Sequence, residues 1–423
     1  MKDSQRHFSM LIVALALGTA WAVRGKFGHE QGAAWAGAIG ALSIILVAKR
    51  SDWYNNVFKI ALAAAFGWGI GGVISYGVVV GYGRGVDFVN VYYGLLMLFV
   101  IGALYGFLGG GLFGLALMDS SGQKIKWHSL IAEMVAWGVL VYVFLINQLE
   151  WFMTPPRSEM WAACLGASIP VAWHCIREKN YTVLKVAVWS ALGGGFGFAF
   201  GNFLQVLGNV FLGGFNFWNV MEYSIGFFGG LGMAYGTLTS HWPVPDEKET
   251  KRSNLIPALL LTVFIPFVVW DQSFVSDRLQ FILDAGGSEA LVFATKFIAI
   301  GSILIVAAVI LVKSHVWMKT TTTEYDHALV RNIFVLYLGL YIFLSFLVTG
   351  LYIHPPEQYL YLVNLVIILL ALPNLTGSFQ VQRTTPRTWI AVTGMIILIL
   401  ALLAVIAINT HGELHGNQTR FKL

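Results

Sequence analysis

The chain predicts an all-α polytopic membrane protein with about 13 transmembrane helices, and three observations carry that reading. Of its 423 residues, 57% are apolar and only 11% are charged, where an ordinary soluble protein is about a quarter charged. The apolar residues run in uncharged stretches of roughly 20, the length a helix needs to cross a bilayer core. The basic residues, counted loop by loop, fall mostly on one side. Soluble catalytic domains, DNA-reading modules and disulfide scaffolds are excluded.

In chain order the predicted spans are 8–23, 31–48, 60–82, 91–118, 129–148, 159–176, 184–206, 218–239, 255–271, 289–312, 328–350, 358–374 and 389–408. Continuous apolar runs of this length are not the ten-residue alternations of membrane strands. Linkers are short, so neighbouring helices run antiparallel and all chemistry sits in or beside the lipid. Lys and Arg gather on the cytoplasmic side of membrane proteins. With the N-terminus inside, eighteen of them lie there, seven lie outside, and Lys296 falls within a span. The pattern predicts a cytoplasmic N-terminus, an external C-terminus and a bacterial inner membrane, and it assigns the net charge of +5 to topology rather than to nucleic acid. Lys2, Arg6, Met10–Leu17 and Ala20-Trp21-Ala22 also resemble a cleaved secretory signal, but the repeat described next needs this helix. Cys164 and Cys175 lie about 16 Å apart along one helix and cannot bridge.

The chain matches itself at an offset of 126. Trp35-Ala36 answers Trp161-Ala162, and Gly40-Ala41 answers Gly166-Ala167. Lys59, Ala61, Ala65, Gly67, Gly69 and Gly71 answer Lys185, Ala187, Ala191, Gly193, Gly195 and Gly197. With a slip of two, Ile101-Gly102 and Gly106 answer Ile225-Gly226 and Gly230. This divides the chain into repeats at 1–126 and 127–254, each of four spans, and a five-helix region with a tail at 255–423. An even number of spans gives both copies one orientation, so a half-turn along the membrane normal is expected to relate them.

Thirty-seven of the 46 glycines precede residue 255. Gly102, Gly106, Gly110 and Gly114 form a ladder at spacing four, and Gly193, Gly197 and Gly201 form another. Such faces let helix backbones approach closely, as in a glycine zipper. The triplets Gly109–Gly111 and Gly193–Gly195 equally suit unwound segments lining a substrate path.

The densest polar cluster is Arg24-Gly25-Lys26-Phe27-Gly28-His29-Glu30-Gln31-Gly32, on the outer side between the first two spans. Two cations and a histidine just before a helix N-terminus, whose free N–H groups carry partial positive charge, suit an anion. Arg24 offers a planar fork for a carboxylate or phosphate. The competing reading is a structural ion pair, and the 126-residue offset nominates Glu150 as the partner of Arg24. Arg84, in a glycine loop, and Glu222, one turn into the eighth span, lie on the same face. The second copy lacks the cluster, since Pro155 and Pro156 replace His29 and Glu30. Of the deeper polar groups, Asn147, Gln148, Asn202 and Gln205 are expected to cross-link helices, and Lys296, seven residues after Glu289 on one helix face, to pair internally rather than serve a proton or anion path.

No phosphate loop, nucleophile elbow or zinc-protease motif is present. His411 and His415 are spaced for a metal, but Gly412 and Gly416 break the helix that spacing needs, leaving a mobile tail. The sequence names no cofactor and no oligomeric state. It favours a transporter or permease, in contact with the lipid bilayer, for a small anionic solute held by Arg24, Lys26, His29, Glu30, Arg84, Glu150 and Glu222. The rivals are a transferase at the outer leaflet, using His29 as base with Glu30 or Asp87 orienting it, and a structural subunit docked through its glycine faces. His354 is a further outer-face candidate.

Overall fold

The computed structural model describes residues 2–245, 254–282, 289–320, 326–350, 355–375, 377 and 379–422. All regular structure among them is helical. Ten of these helices are long and apolar enough to cross a membrane. The predicted spans at 60–82, 159–176 and 218–239 are not among the ten, so length and composition alone do not reach thirteen. The second and third of these are intact helices, α8 (Met160–Arg177) and α10 (Phe217–Leu238), with more polar sequence. His354 lies outside the described residues.

The span at 60–82 is broken. After the single-turn α3 (Ser51–Tyr54), helix α4 (Val57–Gly72) stops, Val73–Tyr76 are not helical, and a short α5 (Gly77–Tyr82) resumes. Val73 and Ile74 are apolar, so hydropathy does not register the interruption. The packing around it does. A side chain at Gly72 would collide with the His29 carbonyl, one at Gly71 would meet Tyr105 Cα at 2.8 Å, and the Tyr105 hydroxyl donates to the freed Ile74 carbonyl at 3.3 Å.

Six helices close into a ring. Helix α1 (Lys2–Arg24) packs on α2 (Glu30–Ala48), α2 on α4, α4 on α6 (Phe88–Ser120), α6 on α9 (Tyr181–Phe211), α9 on α10, and α10 back on α1. Aromatic side chains fill its centre. Trp68 and Trp21 meet edge to face at 4.9 Å, Tyr105 lies 5.6 Å from Trp21, and Phe198 stacks on Tyr105. Trp68 and Tyr105 have no exposed surface. Trp68 is seated against Gly37 of α2, Gly109 of α6 and Gly229 of α10, so three helices omit a side chain to admit one indole.

Residues 1–126 and 127–254, the expected repeats, pack differently. Helices α7 (Trp127–Tyr142, continued by a wider turn over Val143–Gln148) and α8 pair with each other outside the ring, against α6. Their counterparts α1 and α2 are ring members. Helix α2 lies along α4, whereas α8 touches α9 only lightly. The expected half-turn is not confirmed by this packing, in which residues 1–126 place α1, α2, α4 and α6 in the ring and residues 127–254 only α9 and α10. C-terminal helices brace the outside: α11 (Leu255–Leu259), α12 (Ile265–Ser273), α13 (Ser276–Ile282), α14 (Glu289–Thr320), α15 (His327–Ser345), α16 (Pro356–Ala371) and α17 (Pro386–Thr410). Tyr341 of α15 stacks on Trp35 and donates to the Gly32 carbonyl, fixing this layer to α2.

Among the deeper polar groups, Asn202 donates to the Val80 carbonyl and to Gln205, tying α9 to α5. Asn147 and Gln148 are exposed instead. Lys296 donates to the Ser276 hydroxyl at 3.4 Å, not to Glu289. The C-terminal tail is docked. Leu414 N–H donates to the Arg84 carbonyl, Gln418 N–H to the Gly81 carbonyl, and Arg420 and Phe421 N–H to Asn90 Oδ1.

The ring depends on backbones meeting where a Cβ is missing. Side chains at Gly102 and Gly106 would collide with the carbonyls of Gly194 and Ser190, and one at Gly226 with the Leu17 carbonyl. Nothing lies within 4 Å of the Cβ position of Gly301. Gly106→Val is therefore expected to lower stability by about 1–3 kcal/mol through overpacking against rigid backbone. Gly301→Ala should be neutral or slightly stabilising, and thermal unfolding in detergent reads both.

Candidate functional site

Helix α1 ends at Arg24, and Gly25–Gly28 turn the chain tightly. Lys26 N–H donates to the Val23 carbonyl and Phe27 N–H to the Arg24 carbonyl. Gly28 has φ +91°, which an L side chain rarely adopts. His29 then begins α2, with its carbonyl against Gly72 at the break in the third span. The turn thus brings the end of α1, the start of α2 and Tyr76 of the break to one place. The second turn of α10 supplies Glu222 from the other side of the ring.

These groups form a buried network. Arg24 is 1% exposed and Glu222 5%. Arg24 Nη1 donates to Glu222 Oε2 at 2.7 Å and to the Tyr76 hydroxyl at 3.3 Å, and that hydroxyl donates to Glu222 Oε1. Arg24 Nη2 lies 3.0 Å from His29 Nδ1. The guanidinium sits over the ring of Trp21, with Cζ 5.0 Å from the centroid, and beside that of Tyr76. Arg24 Nε has no acceptor among the described residues.

A second tier lies just outside. Lys26 Nζ is 3.7 Å from Glu357 Oε1, which also accepts from Asn216 Nδ2 at 3.2 Å. Glu357 is buried in the first turn of α16. Asn219 donates to the Ala22 carbonyl and to the Tyr361 hydroxyl, and Arg278 to the Lys26 carbonyl. Between the tiers is a cavity of about 260 Å³, lined by Arg24, Lys26, His29, Tyr76, Asn216, Trp218, Asn219 and Glu222, with Gly25 and Gly28. Most of its lining side chains are polar, and they carry both signs of charge.

The structure therefore brings Arg24, Lys26, His29 and Glu222 together and leaves the other candidates apart. Glu150 is a correction: it is exposed, at φ +51°, and Glu222 takes the place at Arg24 that the offset gave it. The physical reason is that α7 and its following loop belong to the pair outside the ring. Glu30 is exposed in the first turn of α2. Arg84 is one ring away, with its Cζ 5.4 Å from the centroid of Trp218, and it donates to the His415 carbonyl of the tail. Asp87 caps α6 by accepting from Asn90 N–H at 2.9 Å, so it does not orient His29. Tyr76, Glu357 and Trp218 were not anticipated. Glu357 carried a legible signal, an acid directly after Pro355-Pro356 at the start of an apolar run.

No protein-family model, curated protein or solved structure matches the chain.

His29 lies in the turn, with part of its ring in water. Partial burial, and then the cations of Arg24 and Arg157, lower its pKa from 6.5 to about 4. At neutral pH the ring is uncharged and Nδ1 accepts from Arg24. The unfolded chain takes up this proton first on acidification, so the native state loses stability as the pH falls from about 6.5 toward 4. His29→Gln keeps an acceptor without the titration. Melting curves at pH 7.5, 6 and 5 are expected to converge for this variant relative to the parent, and parallel slopes would contradict the Arg24 contact.

Proposed function

We propose that the chain is a transporter of a small anionic solute, with its single recognition site in the pocket between α1, α2, α10 and the break after α4. The supporting observation is the fully buried Arg24, held by Glu222, Tyr76 and His29 in the wall of a polar cavity. A buried ion pair is a poor stabilising device, because well-packed apolar residues of the same size usually do as well. Ionisable groups inside a membrane protein are costly and mark solute or ion paths. A solute carboxylate or phosphate competes with Glu222 for the two-pronged guanidinium, and it meets Lys26 at the pocket entrance.

On this reading the two ion pairs also form the gate. Arg24 and Lys26 belong to one turn, whereas Glu222 and Glu357 belong to α10 and α16, so parting the turn from those helices opens the cavity. The broken span supplies the joint, as discontinuous helices do in other transporters. The pocket faces outward, away from the lysine-rich loops. The N-terminus is cytoplasmic, the C-terminus external, and the membrane is a bacterial inner membrane. The four-helix duplication stands behind this arrangement as its ancestry, with only the first copy keeping the cationic turn. The transferase reading has less support, because neither Glu30 nor Asp87 reaches His29.

The test uses reconstituted vesicles. Small mono- and dicarboxylates, inorganic phosphate and sulfate are screened by thermal shift and then by counterflow. Arg24→Gln alone strands a buried carboxylate and is expected to cost about 3–5 kcal/mol. The double variant Arg24→Gln/Glu222→Gln removes both charges, so it should fold and yet lose at least about tenfold in solute affinity. Uptake at the parental rate by the folded double variant would overturn the site, and a parent stabilised by no anion would overturn the substrate class.

A further inference from the structure

A much larger cavity, about 870 Å³, lies between α4, α6, α7 and α8. Its polarity is segregated. Asn56, Lys59, Asp119 and Ser120 line one end, and the remainder is apolar, from Leu62, Phe66 and Ile70 on α4 to Ile131, Val135 and Val139 on α7. Phe66, Ile131, Val135 and Val139 are exposed and flank the open side. From Lys59 to Ile70, or from Trp127 to Val139, the groove is about 16–18 Å long by helical rise, roughly one leaflet of a ~30 Å hydrocarbon core.

We propose that this groove is a binding site for a membrane lipid with an anionic phosphate headgroup, one acyl chain lying along α4 and α7 and the headgroup at Lys59. The proposal is independent of the pocket and of transport. An acyl chain gains little by leaving neighbouring chains for an apolar groove, since both surroundings are equally dry. Retention must come from shape and from the headgroup. The polar end supplies that second element: Lys59 lines it, and Lys124 and Lys126 are exposed on the adjoining loop. Asp119, the acidic lining residue, is turned to that loop and accepts from Ile125 N–H at 2.9 Å. Trp127 stands at the same end, the position of an aromatic at the interface between hydrocarbon and water. A small solute would have no use for a groove this apolar, and an acyl chain would have no use for the polar pocket.

The full-length protein is placed in phosphatidylcholine vesicles doped with a phosphatidylglycerol whose acyl chain carries a diazirine, and photo-adducts are mapped by peptide mass spectrometry. Adducts should concentrate in 62–73 and 131–139, about tenfold above the equally lipid-facing α14 and α17. Filling the groove with Ala63→Trp or Ala163→Trp should remove that excess. Lys59→Gln should leave a phosphatidylcholine probe unaffected and abolish the preference for phosphatidylglycerol. The parental protein decides the matter even if the filled variants fail to fold: adducts spread evenly over all lipid-facing helices, or a headgroup preference that survives Lys59→Gln, would overturn the proposal.

Discussion

Helices in lipid gain nothing from burying apolar surface against one another, because the hydrocarbon is as dry as the core. What holds them is dispersion at short range, and short range demands that the Cβ atoms be missing. The carbonyls of Gly194 and Ser190 occupy the Cβ positions of Gly102 and Gly106, and the Leu17 carbonyl that of Gly226. These contacts bring six helices near enough to close a ring that one indole and a few aromatic neighbours can fill. The position of Arg24 beside Glu222 follows from that closure, since Gly226 and Gly230 let α10 approach α1 closely.

The same closeness makes the charge at the ring's rim tolerable. A guanidinium with 1% exposure in a low-dielectric setting must find its counterion within the protein. Glu222 is on α10, which packs closely along α1, and Tyr76 is available because the third span stops short and turns its next residues inward. His29 completes the set by remaining neutral, so that it accepts from Arg24 instead of repelling it.

Much of this was legible in the sequence and some was not, for definite reasons. The helices announce themselves because bilayer thickness sets their length, and the cationic turn because charges are so rare here. The break at Val73–Tyr76 was hidden, since it opens on the apolar Val73 and Ile74 and hydropathy measures composition, not backbone shape. Glu150 was nominated by the 126-residue offset, and the nomination failed because α7 and the loop after it pack outside the ring that holds Arg24. The tail read as mobile on its glycines, yet its backbone finds partners on Gly81, Arg84 and Asn90, contacts that no local pattern encodes.

The break also places two chemically opposed cavities at one joint. Ile70 and Val73 line the apolar groove, and Tyr76, three residues on, lines the polar pocket. The Tyr105 hydroxyl holds the intervening Ile74 carbonyl, and the Cys164 thiol donates to that of Ile70, so the joint is pinned from α6 and from α8. A continuous helix would carry a tilt past this level unchanged. A helix that ends at Gly72 and restarts at Gly77 changes direction there, so that Ile70 and Val73 line one cavity and Tyr76 the other. The two cavities therefore differ in chemistry although only the four residues Val73–Tyr76 part the helices that line them.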